Sequence, residues 1–411
     1  MARADSLGAA GRSRVVGNSG PYPAGSPDWA LIGAVLVLTL VGLIFVFSAS
    51  VALGQQLYGD PHYFAARQLA GAAIGLLAFI VLARVDYRRL RGFSPLILLA
   101  ATVLLIAVLL PGIGVERNGA QRWIQLGSLP PLQPSEFAKL AVAIYLAAWL
   151  ASKGESVQHV SLGVVPFATM VGFFGFLIMA EPDLGTALVI VVMAGAMFLV
   201  GGAALRHVLT LSLIGGGVLF GIIAVFGYGL NRFTQFTSAE SDPQGTGFQI
   251  LQLLIALGSG GATGVGLGES RQKYLYIPSA HTDGIFAIIG EELGLIGTGL
   301  ILLGFCLMAY RGMRIARRTQ EPFGHLLATG IVSWLVIQAL LNMGGITRSI
   351  PLTGVPLPFV SFGSSALIAT LAASGVLVSI SRFTRESEPL PRGARRRREA
   401  GEGPPRIEAA L

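Results

Sequence analysis

Apolar residues run in long, nearly unbroken blocks along most of this 411-residue chain. A helix that crosses a bilayer needs roughly 20 mostly apolar residues. Ten such stretches are predicted, at about 30–52, 65–83, 94–111, 135–151, 160–179, 185–201, 207–228, 285–310, 324–342 and 362–381. The longest interval between them runs from about 229 to 284, and loops of that length are usually functional. Inside it, Phe248 to Leu257 is apolar but too short to span, which predicts a re-entrant or interfacial helix. The expected fold is therefore an all-α integral membrane protein of about ten transmembrane helices. It carries a large extracytoplasmic loop between helices 7 and 8. Its parts are a tail at 1–28, a polytopic body at 29–383 and a basic, disordered tail at 384–411.

Composition agrees with this picture. Hydrophobic residues make up 53% of the chain, charged residues 12%, and mean hydropathy is +0.70. A globular domain carries about 25% charge, so intrinsic disorder and a soluble α/β enzyme are both excluded. The net charge of +8 reads first as loop charge that sets topology. With the N-terminus in the cytoplasm, 21 of the 29 Lys and Arg fall in cytoplasmic segments, and both termini come out cytoplasmic. The first 28 residues lack the apolar core of a signal peptide directly after a basic start, so no cleavage is expected. The run Arg395-Arg396-Arg397-Arg398 suits anionic headgroups or simply solubilises the tail. The single cysteine, Cys306, excludes a disulfide framework and a Cys-based metal site.

Eight cations remain on the other side: Arg67, Arg117, Arg122, Lys139, Arg232, Arg271, Lys273 and Arg348. They share it with Glu116, Glu136, Asp183, Glu240, Asp242, Glu269, Asp283, Glu291 and Glu292. Charges of both signs at a membrane surface suggest a site for a polar, anionic substrate, or else structural pairing between helices. In an external loop expected at 118–127, Arg122-Trp123 joins a phosphate-suited guanidinium to an interfacial indole. Ser135 is a candidate N-cap, and Glu136 and Lys139, three residues apart, share a helix face. Asp183 caps the next helix or faces the site. The glycines of 258–268 are read as backbone packing at the membrane surface rather than a nucleotide loop, since no βαβ unit surrounds them. Thr282 or Asp283 is placed to cap a long helix, and Asp283 equally to act as a general base. Of Glu291 and Glu292, at least one should line a cavity or pair with a cation. His281 has no metal-ligating neighbours, so no metal site is predicted. The irregular stretch 342–364 is tolerated at membrane depth only where it is buried or lines a cavity, which makes it a second wall of the site.

Taken together these motifs resemble the SEDS family (shape, elongation, division and sporulation) of membrane peptidoglycan glycosyltransferases, over about residues 28–383. The stretches that carry the resemblance are Gly42-Leu-Ile-Phe-Val-Phe-Ser-Ala-Ser50, Asn118-Gly-Ala-Gln-Arg-Trp-Ile124, Gln133-Pro-Ser-Glu-Phe-Ala-Lys139, Glu181-Pro-Asp-Leu-Gly-Thr186, Tyr274-Leu-Tyr-Ile-Pro-Ser-Ala-His-Thr-Asp283, Glu291-Glu-Leu-Gly294 and Pro351-Leu-Thr-Gly-Val-Pro-Leu-Pro-Phe-Val-Ser361. The first two look closer to the division branch, FtsW, than to the elongation branch, RodA. The resemblance implies a polymerase that joins lipid II units outside the cytoplasmic membrane of a bacterium, with the family's essential aspartate at Asp283 as base. Arg67, Arg122, Lys139, Arg232 and Lys273 are then candidates to stabilise the leaving pyrophosphate, alone or with a divalent cation, Mg or Mn. Trp123, Glu136, Asp183, Glu291 and Ser361 complete the implied substrate-binding set. The implied partners are a class B penicillin-binding protein, other division proteins and membrane lipid, with no role for nucleic acid. The chain departs from the family pattern at Gln121, Gly284, Arg348, Phe362 and Ser364. The competing readings are a lipid II flippase, a RodA-type elongation polymerase and a non-catalytic division scaffold.

Overall fold

The computed structural model describes residues 25–117, 120–125, 127, 130–226, 236–237, 247–274 and 276–384. The expected tails lie outside these residues apart from 25–28 and 384. Helices α1 (Trp29–Tyr58), α2 (Tyr63–Arg84) and α3 (Arg88–Leu109) lead to a hairpin of β1 (Gly114–Arg117) and β2 (Ala120–Ile124). Then come α4 (Pro134–Lys153), α5 (Val165–Ala180), α6 (Leu184–Val200), α7 (Leu205–Phe226), α8 (Phe248–Ser259), α9 (Ile285–Arg318), α10 (Pro322–Ile346) and α11 (Ser364–Arg382). Among the described residues eight helices are long and apolar enough to cross a bilayer; α6 and α7 are apolar and stand where the sixth and seventh spans were expected. The 12-residue α8 is the expected short helix of the long interval.

Local chemistry sets the helix ends. The Asp28 carboxylate accepts from the Leu31 N–H at the start of α1, and Gly59 (φ 66°) ends it in the left-handed conformation. Asp183 caps α6 by accepting from the Thr186 N–H. Ser135 is not the cap of α4. Pro134 takes the first helical position, where its missing N–H costs nothing, so the cap moves back to Gln133 and Ser135 is buried one residue inside. Arg122 and Trp123 lie on a strand rather than in a loop. Val115 pairs with Trp123 across the hairpin, and Ile124 and Leu132 exchange backbone hydrogen bonds of 2.8 and 2.9 Å that tie β2 to the approach of α4.

The core lies along α10 and α11, where 78% and 83% of the most apolar stretch is buried, against 22% for α3. Leu96, Leu99 and Val103 of α3 therefore face outward, which in lipid carries no penalty. At one end Asp28 grips Arg311 with an N–O distance of 2.8 Å, Arg91 approaches Glu321, and the Gly25 N–H donates to the Arg382 carbonyl at 2.7 Å. Both ends of the helical body therefore meet at the same, arginine-rich face, which requires an even number of crossings.

The expected single helix over 285–310 is broken. Gly294 has φ 65° and ψ −159°, outside the helical region, and interrupts α9. Backbone groups freed in hydrocarbon cost several kcal/mol each unless protein satisfies them. The glycine-rich strap after α8 does so. Val265 and Gly266 N–H donate to the Glu291 and Glu292 carbonyls at 3.0 and 3.1 Å. Leu295 and Ile296 N–H donate to the Gly261 and Ala262 carbonyls at 2.9 and 3.1 Å. Contact this close needs glycine: a Cβ on Gly264 (φ 81°) would sit 2.1 Å from the Glu292 carbonyl oxygen.

Gly264→Ala should therefore destabilise the body by more than the ~1–3 kcal/mol of the backbone conformation alone. Gly172→Ala is the control, because an added methyl on that α5 glycine meets nothing within 4 Å; it should be neutral or slightly stabilising. Melting temperatures in one detergent compare the two, and equal values would refute the strap's need for glycine at 264.

Candidate active site

The end opposite the arginine-rich face gathers the hairpin, the 181–186 turn, the segment from α8 to α9 and the irregular stretch 347–363. Its deepest element is the break in α9. Glu291 and Glu292 are 2% and 0% exposed. Glu291 accepts from the Ser270 hydroxyl and, at 2.9 Å, from the Arg271 N–H. Glu292 accepts from Ser48 Oγ of α1 at 2.7 Å and pairs with Lys273 Nζ at 3.2 Å. The same ammonium donates to the Gly268 carbonyl and lies 3.3 Å from Ser48 Oγ. Lys273, expected to meet substrate, is thus buried in a staple that joins α1, α9 and the 268–273 segment. Glu292 pairs with Lys273, which meets the expectation that at least one would pair, while its second carboxylate oxygen, Oε2, is buried with no hydrogen-bond partner among the described residues.

A second buried network runs between α4 and α10. Lys139, 0% exposed, bonds Glu136 at 2.8 Å and the Gln338 amide oxygen at 2.8 Å, and its ammonium lies 5.0 Å from the Trp334 ring. Trp334 Nε1 donates to the same Gln338 oxygen at 2.7 Å, while Gln338 Nε2 donates to the Pro356 carbonyl at 2.9 Å. An unpaired lysine cannot be held in such a place, since the desolvation penalty is several kcal/mol per ion. Glu136 and Lys139 share a face as expected.

Arg122 spans from β2 to the turn after α5. Its guanidinium donates to the Glu181 carbonyl at 2.9 Å and to the Pro182 carbonyl, with Asp183 4.0 Å away. Asp183 also accepts from Thr186 Oγ1 at 2.9 Å and Gln133 Nε2 at 3.4 Å. Glu181 is 0% exposed, and neither carboxyl oxygen has a hydrogen-bond partner among the described residues. Burial first, then the Asp183 charge, push its pKa from the ordinary 4.5 up to about 9, against the opposing pull of Arg122. Glu181 is therefore a neutral acid near pH 7. It stood inside a motif but outside the roster of candidate carboxylates, because burial of that side chain leaves no mark in sequence.

Asp283 sits at the mouth of this assembly. Gly284 is the N-cap of α9, and among the described residues no side chain caps that helix, so neither Thr282 nor Asp283 stands at the capping position. Thr282 Oγ1 donates to Asp283 Oδ1 at 3.1 Å, and Asn342 Nδ2 of α10 donates to the Asp283 carbonyl at 3.0 Å. His281 packs between Phe64 and Phe362, with centroids 4.6 and 5.2 Å away, and burial pushes its pKa down to about 4, so it is neutral. Across the mouth, Gln68 of α2 holds the Ser361 carbonyl and the Gly363 N–H, and Ser361 Oγ accepts from the Leu357 N–H. Arg67, one residue before, lies 4.2 Å over the Tyr63 ring. Arg232 lies outside the described residues. Among those described, no three His, Cys, Asp or Glu side chains come together to hold a metal. Gln68, Ser48, Ser270, Gln338 and Asn342 were missed by sequence reasoning. Ser48 and Ser270 stood within quoted or neighbouring segments, and nothing in their spacing marked partners 244 and 21 residues away.

The fold and this buried polar assembly define a multi-pass membrane enzyme whose candidate chemistry is concentrated at one bilayer face. The model of the cell cycle protein family FtsW/RodA/SpoVE matches residues 28–386. The chain is 43% identical over 360 residues to stage V sporulation protein E of Bacillus subtilis, covering 88% of this chain and 98% of that protein. It is 40% identical over 354 residues to a probable peptidoglycan glycosyltransferase FtsW of Geobacter metallireducens, covering 86% and 94%. Among solved structures it resembles a chain of a peptidoglycan synthase complex that coordinates polymerization and crosslinking, with 30% identity, 88% and 99% coverage and a TM-score of 0.71. It also resembles the rod shape determining protein RodA of Thermus thermophilus, with 26% identity, the same coverages and a TM-score of 0.61. The chain belongs to the FtsW/RodA/SpoVE family and is a peptidoglycan glycosyltransferase.

The raised pKa of Glu181 has a definite sign in stability. The unfolded carboxyl ionises near 4.5 while the folded one holds its proton to about 9. The folded state binds more protons between these values, so stability falls as pH rises through that window. Glu181→Gln mimics the neutral acid and removes this dependence. Its melting temperature should exceed the wild type's at pH 8, with the gap closing toward pH 5; a gap independent of pH would refute the assignment.

Proposed function

We propose that this chain polymerises lipid II at the outer face of the cytoplasmic membrane, with Asp283 as general base, during septal wall synthesis in cell division. In this reading the arginine-rich end and both termini are cytoplasmic, as the distribution of 21 of 29 cations supports. The observation that carries the base assignment is exposure. Among the described carboxylates at the site end, Glu136, Glu181, Asp183, Glu291 and Glu292 are buried, and Asp60, Glu116 and Glu269 are exposed. Asp283 alone is half-buried. A base must meet both a bound hydroxyl and the water that finally receives the proton.

The acceptor's GlcNAc 4-hydroxyl attacks C1 of the donor MurNAc as Asp283 removes its proton. The bond from C1 to the pyrophosphate breaks with inversion, and undecaprenyl pyrophosphate leaves with the electron pair. Arg67 and Arg271 are the described cations of this end best placed to stabilise that charge, since neither is paired with a carboxylate. Lys139 and Lys273 act as braces in this reading. Likeness to a chain of a peptidoglycan synthase complex supports a class B penicillin-binding protein as partner.

Purified protein, with and without that partner, is supplied with purified lipid II. Wild type should form glycan chains, and Asp283→Ala should lose about 10²–10⁴-fold in rate. Normal chains from a folded Asp283→Ala protein would overturn the base. Transbilayer movement of lipid II without polymer would favour the flippase. Depletion in cells should leave filaments with unfinished septa; rounded cells that still divide would point to elongation, and defects confined to spores to sporulation.

A further inference from the structure

The Asp283 carboxylate can work only if its backbone is held, and the helix it precedes offers no help, because α9 begins without a side-chain cap. The tie comes from the neighbouring helix. Asn342, 2% exposed near the outer end of α10, places its amide nitrogen 3.0 Å from the Asp283 carbonyl and 2.9 Å from the Val355 carbonyl. Both neighbours are acceptors, so the NH₂ must face them and both its protons are used. The amide oxygen is left buried with no partner among the described residues. A buried unsatisfied acceptor is unfavourable, and a residue kept for stability alone would be poorly served by it.

Gln338 stands one turn below on the same face of α10. Its oxygen takes Lys139 and Trp334 as donors, and its nitrogen holds the Pro356 carbonyl. Two carboxamides, four residues apart, thus clamp consecutive carbonyls of the irregular wall, and the upper one also clamps the base segment. We infer that Asn342 is a positioning residue, which fixes Asp283 against the 355–361 wall and acts on turnover through that aspartate. The inference rests on Asp283 being the base.

The test uses the full chain with its partner and purified lipid II. Asn342→Leu keeps the bulk and removes the donors. Turnover should fall at least tenfold, the KM for lipid II should stay within about twofold, and the melting temperature should move by only a few degrees. Asn342→Gln, which retains a carboxamide, should recover part of the turnover. Full turnover in Asn342→Leu beside an inactive Asp283→Asn overturns this inference alone. Wild-type turnover in Asp283→Asn overturns the base reading and this inference with it. A raised KM at unchanged turnover makes Asn342 a substrate contact instead, and loss of a monodisperse particle in both position-342 variants makes it a fold residue; either result overturns the positioning role.

Discussion

Hydrocarbon cannot hydrogen-bond, so each backbone group opened within a membrane body must find protein. The break at Gly294 makes that demand at the centre of this chain. Meeting it brings the 260–266 strap against α9, and the strap carries the 268–273 segment in with it. The strap's return path places Lys273 beside Glu292 and Ser270 beside Glu291. A lysine and a glutamate with almost no exposure stabilise the fold only as a pair, because removing either leaves an uncompensated charge. The backbone defect and the buried ion pair are thus one feature, and Asp283 lies just beyond it on the same segment.

This ordering sorts the charges that topology left unexplained. Lys273 closes the α9 break, Lys139 joins α4 to α10, and Arg122 gathers the 181–183 turn. Arg348 donates to the Phe236 carbonyl. Among the described residues these cations face carbonyls and carboxylates already present in the chain. Arg67 differs, because its guanidinium rests on a tyrosine ring and leaves its edges available. Excess charge on the non-basic side of this membrane protein therefore divides by partner geometry into cations held by the chain's own acceptors and cations that are not.

That distinction also marks how far the sequence could be read. Span positions were legible because each is a block of about 20 apolar residues, a signal that needs no partner. Asp183 as a cap and Glu136–Lys139 as a pair were legible because their partners stand three residues away. The hairpin was not, since five residues around Arg122 and Trp123 carry too little periodicity to announce a strand. Gly294 was not, because a glycine in a glycine-rich span looks the same whether the helix continues or breaks; the reason for the break lies thirty residues earlier, in the strap. Asn342 and Gln338 were read as the edge of a wall and as part of a span. Their meaning depends on carbonyls that sequence distance hides, at Asp283 and Pro356.

The segment that carries Asp283 shows why such distant ties matter. It is anchored at 270–273 by Glu291 and Glu292, at His281 by the Phe362 N–H at 2.8 Å, and at Asp283 by Asn342. The anchors come from α9, from the wall before α11 and from α10, so no single helix movement can relax all three together. Transfer between two sugars requires the reacting oxygen and carbon to approach in one geometry, and a misplacement of about 1 Å can cost 10²-fold. A carboxylate on an unbraced loop would occupy many positions, of which few are productive. Bracing from three elements confines it to one, and the buried amides and ion pairs below it are the means by which a hydrocarbon-embedded bundle holds a polar loop still at its surface.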